Sequence, residues 1–229
     1  MFKRIIKEII SYPCLNCGNK VAEKYGFCHH CFKNLPFILK PQCPGCGAEN
    51  DGIFELCSKC LKEEKRHWTM GISLMRMEGT AQKLIHHLKY SDDTALARAM
   101  GEIAADKIAD SLIHPDCIVP IPLHWRRRLK RGYNQTNLIA QIISKQLDIP
   151  LAKLLKRVKA TPRQAQLDRK QRLKNLDGAF AVTRKKHCGK LKILLIDDVM
   201  TTGTTLNAAA ETLISAGADE VNVLAILRA

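Results

Sequence analysis

Two adjacent carboxylates, Asp197 and Asp198, follow the apolar run Ile193-Leu194-Leu195-Ile196 and precede the loop Thr201-Thr202-Gly203-Thr204-Thr205. Like charges side by side at the end of a buried strand repel unless a cation or hydrogen-bond donors reach them. Gly203 lets the backbone approach a ligand closely, and the threonines supply hydroxyls. The spacing of Leu206, Ala209, Ala210 and Leu213 predicts a helix that starts at this loop. Free N–H groups at a helix start hold anions. The stretch therefore reads as a phosphate cradle beside a site for a metal ion or for sugar hydroxyls.

A second chemistry lies near the N-terminus. Eight of the ten cysteines fall in four CxxC pairs: Cys14/Cys17, Cys28/Cys31, Cys43/Cys46 and Cys57/Cys60. Glycine follows the second cysteine in Cys-Leu-Asn-Cys-Gly and Cys-Pro-Gly-Cys-Gly, as in a turn whose backbone N–H groups point at sulfur. Neighbouring couples of pairs make two tetrahedral four-thiolate sites, which predicts two zinc ions. Sequential pairing is the simpler assignment; crossed pairing stays open. Such a module serves either nucleic-acid or protein contact, or simply staples a fold too small for its own core.

The third chemistry is cationic. The net charge is +15, and residues 124–190 hold 19 Lys and Arg against three acids, a net +16. Arg126, Arg127, Arg128, Lys130 and Arg131 crowd between Trp125 and Tyr133, and Arg169, Lys170 and Arg172 follow in a polar stretch. Cations contact phosphates and aromatics stack on unpaired bases, so single-stranded DNA is the expected partner. A solvated charged face, or cations aimed at a phosphate ligand, is the competing reading.

These groups need elements to position them. Periodicity predicts a strand over 67–77, helices over 80–90, 92–112 and 135–147, a strand over 116–122, a polar loop over 156–177, and strands over 192–197 and 220–227 flanking a helix over 204–216. Strand–helix–strand with largely apolar strands predicts a parallel sheet covered on both faces. Residues 2–10 read as a basic amphipathic helix that docks on the protein itself or lies on a membrane. No run approaches the roughly 20 apolar residues of a membrane span, and no secretory signal is visible, so a cytoplasmic protein is expected, with peripheral placement at the inner face of the membrane as a variant.

The stretch Ile193–Leu206 resembles the phosphoribosyl pyrophosphate (PRPP) motif of type I phosphoribosyltransferases. With the CxxC-rich N-terminus, Leu84–Tyr90, Val119–Thr136 and Thr161–Phe180, nearly the whole chain resembles the bacterial competence protein ComF family. The resemblance implies an α/β fold: a phosphoribosyltransferase-type twisted, mainly parallel sheet with flanking helices over 67–229, preceded by an N-terminal helix and a small double zinc-ribbon module over 1–66. It implies that Asp197 and Asp198 hold ribose hydroxyls, with Mg²⁺, and that Thr201, Thr202, Gly203, Thr204 and Thr205 hold the 5′-phosphate of PRPP. It places Val119-Pro120-Ile121-Pro122 at the pyrophosphate loop and Asp168–Arg172 at a mobile loop closing over pyrophosphate.

One departure matters. Purine-salvage transferases carry an acid near the base at the place of Thr201, and this chain does not. The expected function is handling of incoming single-stranded DNA during natural transformation, with PRPP or a related phosphate bound. The rivals are a phosphoribosyl transfer to an unidentified acceptor, and an adaptor that docks on inner-membrane DNA-transport machinery or a helicase.

Overall fold

A computed structural model describes residues 12–21, 24–62, 66–90, 93–124, 129, 132–159, 178–183 and 188–229. Its central feature is a sheet of four parallel strands in the order β3-β8-β7-β4: β3 (Gly71–Arg76), β4 (Cys117–Pro120), β7 (Lys192–Met200) and β8 (Glu220–Arg228). Neighbouring residues of β7 alternate between the two faces, as the period-two geometry of a strand requires. Leu194 and Ile196 join one core and Ile193 and Leu195 the other. All four are fully buried, each contributing about 1.5–3 kcal/mol. This is why the strand reads as a continuous apolar run.

On the first face lie α3 (Gly79–Tyr90), α4 (Thr94–Ala109) and α5 (Gln135–Leu147). The second face is covered by α6 (Thr204–Ser215), whose Leu206, Ala209, Ala210 and Leu213 are buried as their spacing predicts. Asp93 caps α4 by accepting from the Leu96 N–H at 2.8 Å, and Asn134 caps α5 by accepting from the Thr136 N–H at 3.1 Å. Asn134 also donates to the Ile121 carbonyl at 3.2 Å, which ties the start of α5 to the exit of β4.

The N-terminal ribbons straddle the free edge of this sheet at β3. The first comprises β1 (Tyr12–Pro13), β2 (Lys20–Val21) and the short helix α1 (His29–Lys33); its Cys14 and Cys31 join the core of the α3–α5 face. The second includes α2 (Ser58–Leu61), and its Cys43, Cys46 and Cys60 join the core of the α6 face. Between the ribbons the chain runs antiparallel along β3: Phe37 bridges Met75, the Ile38 N–H donates to the Leu74 carbonyl at 3.0 Å, and the Arg76 N–H donates to the Pro36 carbonyl at 2.9 Å. The exposed hydrogen-bonding groups of the edge are thus paired.

Three expectations are corrected. The strand predicted over 67–77 is regular only from Gly71 to Arg76: Thr69 and Met70 still bond to β8, but the His67 N–H donates to Asn207 and the Trp68 indole to the Gly45 carbonyl, which draws the chain off the strand path before them. The strand predicted to end at Asp197 runs on to Met200, since Asp197, Val199 and Met200 pair with Ala225, Leu227 and Arg228 of β8. Within the loop predicted over 156–177, Lys156 and Arg157 belong to β5 (Leu155–Arg157), which pairs antiparallel with β6 (Phe180–Val182). The predicted helix over 2–10 and the stretch 160–177 lie outside the described residues.

Candidate functional site

Asp197 and Asp198 lie at the carboxyl end of β7, next to the exit of β4, where open parallel sheets receive ligands. The apposition of like charges is relieved from the helical face. Lys89, in the last turn of α3, places its Nζ 3.1 Å from Asp198 Oδ2. Gln135, at the start of α5, donates from Nε2 to the same oxygen at 2.7 Å. Burial opposes ionisation of Asp198, but Lys89 and Gln135 outweigh it and hold this carboxyl below its ordinary value. For Asp197, burial and the adjacent Asp198 act together and push the carboxyl well above the ordinary range. Its Oδ1 accepts the Asp198 N–H at 2.9 Å.

The pair is therefore asymmetric: one acid is ionised and one resists ionisation. Asp197 is only partly covered, whereas Asp198 is buried. Such a pair has room for a cation or for hydroxyl groups arriving from solvent. Beside it, Gln135 Oε1 is buried with no hydrogen-bond partner among the described residues, an open acceptor.

The threonine loop follows directly. Gly203 adopts φ +79° and caps α6, and a Cβ there would stand 3.1 Å from Trp68 Cη2. Only glycine meets both conditions without strain. The Thr202 and Thr204 hydroxyls lie 2.9 Å apart. Asp197, Thr201, Gly203, Thr204 and Thr205 line one small hollow at the N-terminus of α6. Arg228, at the end of β8, fixes the start of the loop. Its Nη1 donates to the carbonyls of Met200 at 3.1 Å and of Thr201.

Lys89, Gln135 and Arg228 were not singled out as site residues from sequence. Lys89 and Gln135 do fall within the stretches Leu84–Tyr90 and Val119–Thr136 that carry the family resemblance, which was the available signal.

The eight paired cysteines gather as Cys14, Cys17, Cys28 and Cys31, and as Cys43, Cys46, Cys57 and Cys60, with the sulfurs of each set within 4.8 Å of one another. Of the pairings left open by spacing, the sequential one is seen. All eight are free thiols. The sulfurs of Cys17 and Cys28 lie 3.8 Å apart, and those of Cys46 and Cys57 3.7 Å apart. A tetrahedral zinc with Zn–S bonds of about 2.3 Å sets its sulfurs about 3.8 Å apart, so both sets fit the ion. Backbone N–H groups already face the sulfurs: Cys28 donates to Cys14 Sγ at 3.3 Å, and Cys57 to Cys43 Sγ at 3.3 Å. Burial opposes ionisation of Cys14, but backbone donors at Cys17 and Cys28 bring it down to about 6.

Of the expected DNA-contacting residues, Trp125, Arg126, Arg127, Arg128, Lys130, Arg131, Arg169, Lys170 and Arg172 lie outside the described residues. Tyr133 is half-buried, and its hydroxyl donates to the Leu88 carbonyl in the last turn of α3. That contact puts it one residue from Lys89, beside the acid pair. Among the described residues no helix is long and apolar enough to cross a membrane.

Residues 87–229 match the phosphoribosyl transferase domain family, and residues 9–63 match the double zinc ribbon domain family. The fold and its sites thus define a phosphoribosyltransferase-type domain preceded by two zinc ribbons. Over nearly its full length the chain is similar to Competence protein F of Haemophilus influenzae, with 35% identity over 230 residues that cover 97% of this chain and 99% of that one. DNA utilization protein YhgH of Escherichia coli K12 is 30% identical over 225 residues, covering 94% of this chain and 96% of the relative. Competence protein ComFC of Bacillus subtilis is 27% identical over 200 residues, covering 83% and 78%. The chain belongs to the competence protein F family.

Two predictions follow from the sites. Purified protein carries two zinc ions per chain, and Cys14→Ser removes one of them while destabilising the N-terminal module, since a closed thiolate site contributes directly to folding. Metal analysis showing no zinc, with the paired thiols in disulfides, contradicts this.

The acid pair predicts opposite stability effects. Asp197 has its folded pKa raised, so the unfolded chain releases its proton first, and stability falls as pH rises from about 3.9 through the folded pKa. Asp198 has its folded pKa lowered, so its contribution is present above about 3.9 and is lost as pH falls through the folded pKa. At neutral pH Asp197→Asn raises the melting temperature of the ligand-free protein. Asp198→Asn lowers its stability by about 1–3 kcal/mol, because the Lys89 ammonium loses its counter-charge and a neutral amide accepts more weakly than a carboxylate. Thermal melts giving both substitutions the same sign count against the asymmetry.

Proposed function

We propose that this protein takes part in natural transformation by handling incoming single-stranded DNA at the cytoplasmic side of the membrane, and that it binds PRPP at the end of β7. The family supports the competence role: relatives matched over most of the chain are named for competence and for DNA utilization. The observation that carries the ligand reading is the asymmetric acid pair opening onto the Gly203 loop and the N-terminus of α6.

In this reading the loop N–H groups and the hydroxyls of Thr201, Thr202, Thr204 and Thr205 hold the 5′-phosphate. Asp197 and Asp198 receive the ribose diol, and Gln135 Oε1 is an acceptor left for a hydroxyl proton. Mg²⁺, when bound, supplies positive charge that lets Asp197 ionise beside Asp198. Lys89 keeps Asp198 ionised, and Arg228 keeps the loop entrance in place. Thr201 offers no acid or base to an acceptor at neutral pH, so binding is better supported than group transfer. Pyrophosphate release from PRPP with candidate acceptors separates the two roles.

PRPP with Mg²⁺ at about 100 times its dissociation constant stabilises the protein by about 2.7 kcal/mol in a thermal-shift titration. The double variant Asp197→Asn/Asp198→Asn stays folded and shows no such shift. Unchanged PRPP affinity in that variant rules out the assignment of the site.

The basic segment binds single-stranded DNA without strong sequence preference. About four to six phosphate contacts give a slope of roughly −3 to −4 in log affinity against log salt. Arg126→Ala/Arg127→Ala/Arg128→Ala flattens it by about two units, whereas Trp125→Ala weakens binding with little change in slope, because stacking releases no counterions. A wild-type slope near zero removes the segment from the DNA reading. The same protein mixed with candidate transport or helicase partners tests the adaptor role by co-purification.

A further inference from the structure

The two ribbons have similar cysteine spacing but different neighbours. The first rests on the helical face, where the Tyr25 hydroxyl donates to Asp106 of α4. The second rests on the phosphate loop. Its turn, Cys43-Pro44-Gly45-Cys46, lies against the backbone of β3. The Gly71 N–H donates to the Pro44 carbonyl at 2.7 Å, the Ser73 hydroxyl donates to the Cys46 carbonyl at 3.0 Å, and a Cβ on Gly47 would stand 2.1 Å from the Ser73 nitrogen.

The Trp68 side chain links that turn to the loop. Trp68 Nε1–H donates to the Gly45 carbonyl at 2.7 Å, between the two thiolates of the pair, and the opposite edge of the same indole meets Gly203. Trp68 is buried among Cys43, Cys46, Cys60, Met200 and Leu206. One residue earlier, the His67 N–H donates to Asn207 Oδ1 at 2.9 Å, in the first turn of α6. Beside the indole, ribbon and loop face each other across a cavity of about 210 Å³, with Lys59 and Cys60 on one wall and Thr201, Thr202 and Arg228 on the other. An indole is rigid and its N–H must be satisfied when buried, so its position follows the position of the Gly45 carbonyl.

We propose that Trp68 is a positioning residue that couples metal occupancy of the second four-cysteine site to the phosphate loop. With zinc bound, the 43–46 turn is fixed, the indole is fixed by it, and Gly203 is held in the left-handed conformation that opens α6 toward a phosphate. With zinc removed, the turn keeps its two bonds to β3 but loses its tie to the Cys57 and Cys60 pair, and the indole behind the loop is held less firmly. Among the described residues the first site has no such path, since its ribbon packs on α4 on the other face of the sheet. The coupling rests on the PRPP reading of the loop. It is reciprocal by linkage: whatever factor zinc contributes to PRPP affinity, PRPP contributes to the affinity of the second zinc.

The direct test uses the full wild-type chain loaded with zinc. A chromophoric chelator is titrated against it with and without saturating PRPP and Mg²⁺. One of the two zinc ions should become about tenfold harder to strip when PRPP is present, and the other should not change. Calorimetry adds the reverse arm. Cys60→Ser, which opens the second site, and Trp68→Leu should each weaken PRPP about tenfold. Zinc content distinguishes the two weakened variants, because Trp68→Leu keeps both ions.

If wild-type protein shows neither heat nor thermal shift with PRPP, the ligand reading itself falls. If PRPP binds but both ions are stripped equally with and without it, the coupling is overturned. That arm needs no substitution, so it decides the matter even where a cysteine variant fails to fold.

Discussion

Two carboxylates forced next to each other at the end of a buried strand set the terms for much of this structure. Repulsion within the Asp197–Asp198 pair has to be offset from outside β7, and the offset comes from two helices on one face. Lys89 ends α3 and Gln135 begins α5, and both meet the same oxygen of Asp198. The result is a division of labour between the acids. Asp198 is satisfied by the protein, and Asp197 is left with its charge discouraged and its side chain partly open to solvent. A carboxyl in that condition gains from the arrival of a cation or of hydroxyl donors, which is the chemistry of a Mg²⁺-assisted sugar phosphate.

The same strand end feeds the loop proposed to hold the phosphate. Here the constraint is steric as well as electrostatic. The chain must turn from β7 into α6 through a left-handed residue, with an indole against it, and glycine meets both demands. The ribbons then serve more than their own stability. A module of this size has little apolar core of its own, and thiolate–metal bonds supply what burial does not. Placed at the β3 edge, the ribbons also close that edge, and the second one stands behind the phosphate loop through Trp68.

What could be read from the sequence is what is local. The acid pair, the threonine loop, the start of α6 and the cysteine pairs are each written within a dozen residues, and the structure places them together in that form. Contacts across long separations were not legible. Gln135 meets Asp198 across 63 residues, and Trp68 meets Gly45 across 23, with no pattern in either segment to announce the pairing. The near-equal spacing of the cysteine pairs gave no sign that the two ribbons settle on opposite faces of the sheet. The strands β5 and β6 carry no periodic signal, because each is three residues long and shows a single buried side chain, Leu155 and Phe180. The hydroxyl contact of Tyr133 with α3 is likewise a long-range pairing that its cationic sequence neighbours do not announce.

In the proposed function the protein keeps the acid pair asymmetric so that it can receive PRPP. Carbon-13 NMR of the aspartate carboxyls, titrated with pH, measures this directly. The two resonances, assigned with the single Asn substitutions, should titrate on opposite sides of the ordinary value of about 3.9, Asp198 below and Asp197 above. Addition of PRPP with Mg²⁺ should carry the Asp197 midpoint downward as its charge is accepted. Two carboxyls titrating together near the ordinary value, both indifferent to PRPP, would contradict the account.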